Sequence, residues 1–210
     1  MPDINSLIGF MLIALGMALT PGPNMVYLVS RSICQGPAAG LISLGGVALG
    51  FVVYLLCAAF GLTALMLAVP YAYDALRFAG AIYLLWLAWQ AVRPGGGSPF
   101  QVRNLPKDSP RKLFLMGFAT SVLNPKIAVM YLSLLPQFIH PGNGSVLVQA
   151  LVLGSVQIVV SVAVNATMSF SAGSISKFLI AKPGFATVQR WIMGTVLAGL
   201  AVRMATEARR

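Results

Sequence analysis

The sequence predicts an all-α integral membrane protein, with six transmembrane helices arranged as two inverted three-helix repeats and spans 1 and 4 broken at proline motifs. Three observations lead there. Of the 210 residues, 58% are hydrophobic and only 9% are charged, against about 25% charged in soluble domains. The apolar residues gather into six runs separated by turn residues and positive charge. Proline-centred interruptions also occupy corresponding places in the first and fourth runs, at Pro21 and Pro125.

The runs lie near 6–30, 38–69, 72–92, 113–139, 145–173 and 186–206, and each reaches the about 20 residues that a helical crossing needs. Ahead of the first run, Met1-Pro2-Asp3-Ile4-Asn5 holds no Lys or Arg. It therefore lacks the basic start of a cleaved signal peptide, and the run is read as a retained span. The stretch from Ser32 to Tyr73 is free of charge, and Pro70 marks a tight turn between spans two and three. Asp74 and Arg77, three apart at the start of span three, read as an interfacial ion pair. Between spans three and four lies the long polar segment 93–112, containing Pro94-Gly95-Gly96-Gly97-Ser98-Pro99, a flexible connector by composition. The expected organisation is thus a first repeat over 1–92, a connector over 93–112 and a second repeat over 113–210, together one membrane domain.

Charge orients this arrangement. Nine of the 14 Lys and Arg residues fall in the loops at 31–37, 93–112 and 174–190, four lie on the opposite side, and Lys126 stands within a span. The positive-inside rule places the connector in the cytoplasm and both termini outside. The net charge of +10 does not indicate nucleic-acid binding, because the cations sit in loops between apolar runs and not on a solvated face interleaved with aromatics. A shift of 104 positions pairs Phe10 with Phe114, Leu19 with Leu123, Pro21 with Pro125, Tyr27 with Tyr131 and Gly50 with Gly154. Two three-span units lie in the membrane with opposite orientation, an arrangement characteristic of secondary transporters.

Two motifs carry the chemistry. Thr20-Pro21-Gly22-Pro23-Asn24 sits inside the first run, where two prolines and a glycine cannot continue a regular helix. Thr20 and Pro21 read as the N-cap and first residue of a new half-helix whose free N–H groups enter the break; a plain proline kink is the competing reading. Leu123-Asn124-Pro125-Lys126 repeats the logic in the fourth run, with Asn124 as cap and Pro125 as helix opener. Interrupted segments at matching places in two halves point to a midplane binding site. The expected substrate-binding residues are therefore Thr20, Pro21, Gly22, Pro23, Asn24, Asn124, Pro125 and Lys126. Lys126 is an ammonium deep within an apolar run, so it needs a polar cavity or partner, unless it snorkels to an interface.

In the fifth run, Gln149, Gln157, Ser161, Asn165 and Ser169 recur at multiples of four and share one helix face. Gln157, Ser161 and Asn165 are the expected cavity-lining residues, with interhelical hydrogen bonding the equal alternative. Gly36, Gly40, Gly46 and Gly50 form small-xxx-small pairs that favour close helix packing. His140, followed by Pro141 and Gly142, reads as a surface-loop residue.

With these residues in place, the chain resembles the lysine exporter (LysE/RhtB) family of bacterial amino-acid exporters over essentially its whole length. The resemblance rests on Thr20-Pro21-Gly22-Pro23-Asn24, the glycine series, Gly80-Ala81-Ile82-Tyr83-Leu84 and Leu123-Asn124-Pro125-Lys126. It implies a multi-pass protein of the bacterial inner membrane that exports amino acids or related metabolites, driven by the ion gradient. Its implied partners are an amino-acid substrate and the lipid bilayer, with a homo-oligomer left open.

No acidic residue lies deep in a span, so a cationic substrate side chain would lack a countercharge, and a neutral amino acid or derivative is expected. One His and two distant cysteines build neither a metal cluster nor a redox pair. No cofactor or metal is expected. An enzyme would need a nucleophile–base set or carboxylate pair that the spans lack. The alternatives kept open are a passive facilitator or channel, and an exporter of another small solute such as a divalent cation.

Overall fold

The computed structural model describes residues 1–68 and 107–181, together with single positions within 78–93 and 191–206. Among the described residues every element is helical. Helix α1 (Ile4–Leu19) starts on Asp3, whose carboxylate accepts hydrogen bonds from the Ser6 amide at 2.8 Å and its hydroxyl at 2.9 Å. It stops at Thr20, which is extended and turns its hydroxyl back to donate to the Gly16 carbonyl at 2.8 Å. Helix α2 (Pro23–Gln35) follows at an angle of 51°. It ends at Gly36, whose φ of +92° belongs to backbone space that favours glycine. The chain then enters α3 (Pro37–Ala68), a helix without an internal break.

The second described half repeats this pattern. Helix α4 (Pro110–Val122), capped by the Ser109 hydroxyl, gives way at Leu123-Asn124 to α5 (Pro125–Val129), with a bend of 50°. Beyond α5 the chain widens into a π-helical turn over Met130–Leu134 and tightens into a 3-10 turn over Leu135–Phe138. Pro136, which has no N–H to donate, sits where the regular ladder is lost. A short turn over Pro141–Asn143 leads to α6 (Val146–Ala181).

Two described segments, Pro37–Gly61 and Val146–Ala172, are long and apolar enough to cross a membrane unbroken, and each bent pair supplies one more when counted as a single span. At about 1.5 Å per residue the 25 and 27 residues of those segments exceed the about 30 Å of a hydrocarbon core. These four correspond to spans one, two, four and five. Spans three and six lie outside the described residues apart from single helical positions, as do the Asp74–Arg77 pair and most of the connector.

The core gathers where the breaks meet α3 and α6. Phe10, Leu28, Phe51, Tyr131, Leu134 and Leu153 are fully buried or nearly so, whereas Leu12, Leu56, Phe60, Val159 and Phe170 face outward. Outward apolar side chains are what a lipid-facing surface requires. Helices α3 and α4 approach through glycines. A methyl group at Gly46 would fall on the Phe114 carbonyl and the Phe118 amide, and one at Gly117 would fall on the Ser43 carbonyl. Gly50 meets the Ser121 side chain in the same way. The packing role expected of Gly46 and Gly50 is therefore observed, while Gly36 serves a turn.

Opposite ends of the broken first span carry different ties. At the Gln35 end, Arg31 pairs with Asp108 at 2.6 Å, Lys112 reaches the same carboxylate at 2.6 Å, and Gln35 exchanges hydrogen bonds with the Asp108 side chain and amide. At the Asp3 end, the Asn143 amide donates to Asp3 at 3.2 Å. The end of α2 and the segment just before α4 thus meet on one face.

Candidate functional site

The two breaks face each other across one cavity, closed on a third side by α6. Thr20, Gly22 and Asn24 line it from the first break, and Asn124 and Lys126 from the second. Gln157, Ser161 and Asn165 line it from α6. Pro21, Pro23 and Pro125 shape the breaks without lining the cavity. Its free interior is small, about 30 Å³.

Lys126 is the charged centre. It is 5% exposed, and its Nζ donates to the Thr20 carbonyl at 2.6 Å. That carbonyl closes α1, so the cation sits at the partially negative end of a helix. No carboxylate pairs with Lys126 among the described residues. Gly22 makes room for it: a Cβ there would stand 3.1 Å from Lys126 Cδ. Since Gly22 has an ordinary extended conformation, close approach and not backbone freedom is what requires glycine here.

The two helix starts differ, which corrects the sequence-based expectation in two ways. Thr20 does not cap the second half-helix; it terminates the first, and α2 opens two residues later at Pro23 with Gly22 as N-cap. Thr20 can satisfy its hydroxyl by back-bonding to Gly16, and the extended Pro21-Gly22 pair then carries the chain across the break. No side chain caps α2, so its first-turn N–H groups remain available, beginning with Asn24 beside the cavity. The start of α5 is closed, because Asn124 Oδ1 accepts from the Lys126 amide at 3.0 Å. The breaks are alike in bend and unlike in what they offer a ligand.

The polar face of α6 divides by depth. Gln157 Oε1 accepts from the Tyr131 hydroxyl at 2.5 Å and its Nε2 donates to Ser161 Oγ at 2.9 Å, so both ends of this amide are engaged. Asn165 Nδ2 donates to the Ser161 carbonyl at 2.8 Å, and Asn24 Nδ2 approaches Ser121 Oγ at 3.5 Å. The oxygens of Asn24 and Asn165 are buried without a hydrogen-bond partner. Gln149 belongs to a different structure: it accepts from the His140 amide and donates to the carbonyls of His140 and Gly144, tying the turn before α6. Ser169 is buried beside Gly40. His140 itself is exposed, as expected.

Sequence reasoning missed the apolar wall, formed by Met17, Met25, Phe51, Ile127 and Met130. Nothing in an apolar run distinguishes a cavity wall from core. Tyr131 was detectable, since the 104-residue shift pairs it with Tyr27. Both tyrosines donate across the structure, Tyr27 to the Leu113 carbonyl at 3.0 Å and Tyr131 to Gln157.

Compared with known families, residues 6–208 match the LysE type translocator. The chain belongs to that family. It is accordingly a membrane translocator and not an enzyme. It is 26% identical over 200 residues to a leucine efflux protein of Enterobacter sp. (strain 638), covering 90% of each chain. It is 25% identical over 193 residues to a leucine efflux protein of Klebsiella pneumoniae, covering 92% of this chain and 91% of the relative. An uncharacterized membrane protein of Pseudomonas aeruginosa is 28% identical over 196 residues, covering 90% and 89%. No solved structure matches the chain.

Proposed function

We propose that this translocator is a secondary transporter exporting neutral amino acids across the bacterial inner membrane, driven by the ion gradient. The observation that carries the reading is a buried ammonium, Lys126, set in a cavity with an apolar wall and no carboxylate partner among the described residues. A substrate carboxylate supplies the missing anion, and the uncapped start of α2 adds N–H donors and a positive helix end beside it. The wall of Met17, Phe51 and Met130 suits an aliphatic side chain. Relatives named for leucine efflux support that preference.

The six spans act as two inverted units, 1–92 and 113–210, joined by a cytoplasmic connector, and rocking of one against the other alternates access. The equal bends of 51° and 50° at matching places support this division, and the Lys/Arg distribution supports the orientation. A substrate carboxylate and the protonated form of Lys126 stabilise one another, so leucine affinity depends on the protonation of Lys126.

The test uses purified protein in proteoliposomes preloaded with labelled leucine. Efflux is expected to quicken with an imposed proton or sodium gradient; a rate independent of both would mark a passive facilitator. In binding assays across pH, Lys126→Gln should weaken leucine binding and flatten its pH dependence. Lys126→Arg, which keeps its charge, should bind leucine yet transport it poorly. Unchanged affinity and pH dependence in the Gln variant would refute the assignment.

A further inference from the structure

Two acceptors in the cavity lack donors and remain to be explained. Asn24 and Asn165 each line the cavity, each is 5% exposed, and each leaves its amide oxygen buried without a donor. A buried acceptor left unmade is costly, and native structures rarely keep one without a reason. For Asn165 the orientation of the amide is fixed by chemistry: its Nδ2 faces the Ser161 carbonyl at 2.8 Å, and a carbonyl only accepts, so Oδ1 must be the free end. Asn24 Nδ2 is directed to Ser121 Oγ. Gln157 offers nothing comparable, because Tyr131 and Ser161 occupy both its ends. The Thr20 carbonyl is taken by Lys126.

We propose that Asn24 and Asn165, one from each half of the chain, form the subsite for the substrate's α-ammonium. The assignment rests on the amino-acid reading above and deepens it. The cavity then divides into an anion end at Lys126 and the start of α2, and a cation end at two neutral amide oxygens. A zwitterion satisfies both and brings no net charge. Two amide oxygens hold the ammonium without a fixed negative charge, and the described lining offers no acidic side chain for a lysine-like substrate. Because one asparagine belongs to α2 and the other to α6, a bound ammonium joins elements of both halves.

Purified protein in sodium-free buffer is titrated with leucine and with 4-methylpentanoate, which is leucine without its amine. Wild type should prefer leucine by about ten- to hundredfold, the range expected when a buried acceptor loses its donor. Asn24→Leu and Asn165→Leu should each lower that preference at least about tenfold, by weakening leucine while sparing 4-methylpentanoate. Lys126→Gln should weaken both ligands together. Near-isosteric Asn24→Asp and Asn165→Asp guard against misfolding in the leucine variants. They should tighten 3-methylbutylamine, the amine without the carboxylate, and unchanged amine affinity would overturn the proposal. It is also overturned if leucine binds but the leucine variants lose both ligands equally, or if selectivity appears only when sodium is added. Failure of wild type to bind any amino acid would overturn the transport reading itself.

Discussion

Replacing Lys126 by methionine separates the two roles a buried lysine can have. The substitution keeps an unbranched side chain one atom shorter than lysine's and removes its charge. An ammonium within the hydrocarbon region costs about 2.5–3.5 kcal/mol on insertion scales, a cost that methionine does not incur. Against this, the variant loses one bond from a charged donor, Nζ to the Thr20 carbonyl at 2.6 Å, worth about 1.5–3 kcal/mol. The two nearly cancel, so folding stability should stay within about 2 kcal/mol of wild type, or about 8 °C in a thermal scan for a chain of this size. Binding has no such compensation. Losing the charged partner of a desolvated carboxylate costs about 2–5 kcal/mol, roughly a 30- to 4,000-fold loss of leucine affinity. The assay is thermal unfolding in detergent by intrinsic fluorescence, run beside leucine binding on the same preparation. A midpoint lowered by more than about 10 °C with leucine affinity retained would refute the reasoning and make Lys126 a strut for the broken helix.

At the connector face, hydrogen bonds from Lys112 and Gln35 hold the Asp108 carboxyl below its ordinary value of 3.8. A depressed folded-state value contributes stability that is present above the unfolded value and is lost as pH falls through the folded one. The unfolding midpoint should thus be insensitive to Asp108 from pH 8 to about 5 and should drop below about pH 4. Asp108→Asn should make that acid drop shallower; an equal drop would refute the tie. Gly46→Ala should destabilise by about 1–3 kcal/mol or prevent insertion, since its methyl would strike the α4 backbone. Gly61→Ala, which meets nothing within 4 Å, should stay within about 1 kcal/mol; equal effects in thermal scans would refute the crossing. Topology is checked by single cysteines at Ser98 and Gly144 in a background lacking Cys34 and Cys57. An impermeant maleimide applied to intact cells should label only Gly144→Cys, and labelling of Ser98→Cys would reverse the orientation.

The sequence made the breaks legible because proline and glycine act locally, through a missing donor and a ring clash. It made Gln157, Ser161 and Asn165 legible because a polar side chain at four-residue spacing stands out in an apolar helix. Lys126 was legible for the same reason. What it could not show was which residue of a Thr-Pro-Gly-Pro run ends one helix and which begins the next. Thr20 is a competent cap in either direction, and only its back-bond to Gly16 decides. Nor could spacing show that Asn124 spends its oxygen on its own helix while Asn24 does not, for the two motifs read alike. The Arg31–Asp108 tie spans 77 positions, beyond any local signal. Met17 and Phe51 look like core because a cavity wall and a core surface are made of the same side chains.

The glycine crossing of α3 and α4 bears on how the halves can move. It joins the first half to the second through backbone contacts at Gly46 and Gly117, with scarcely any side chain between. Side chains can slip from one rotamer to another, but two backbones in a mutual notch have no softer coordinate to yield. Sliding there would mean lifting out of the notch, whereas a small rotation about it leaves it occupied. In the rocking motion proposed above the crossing would act as a pivot, with the displacement of each wall growing with its distance from that point. Under the proposed rocking, a few degrees of tilt would open the cavity while the place where the halves touch most closely hardly moved.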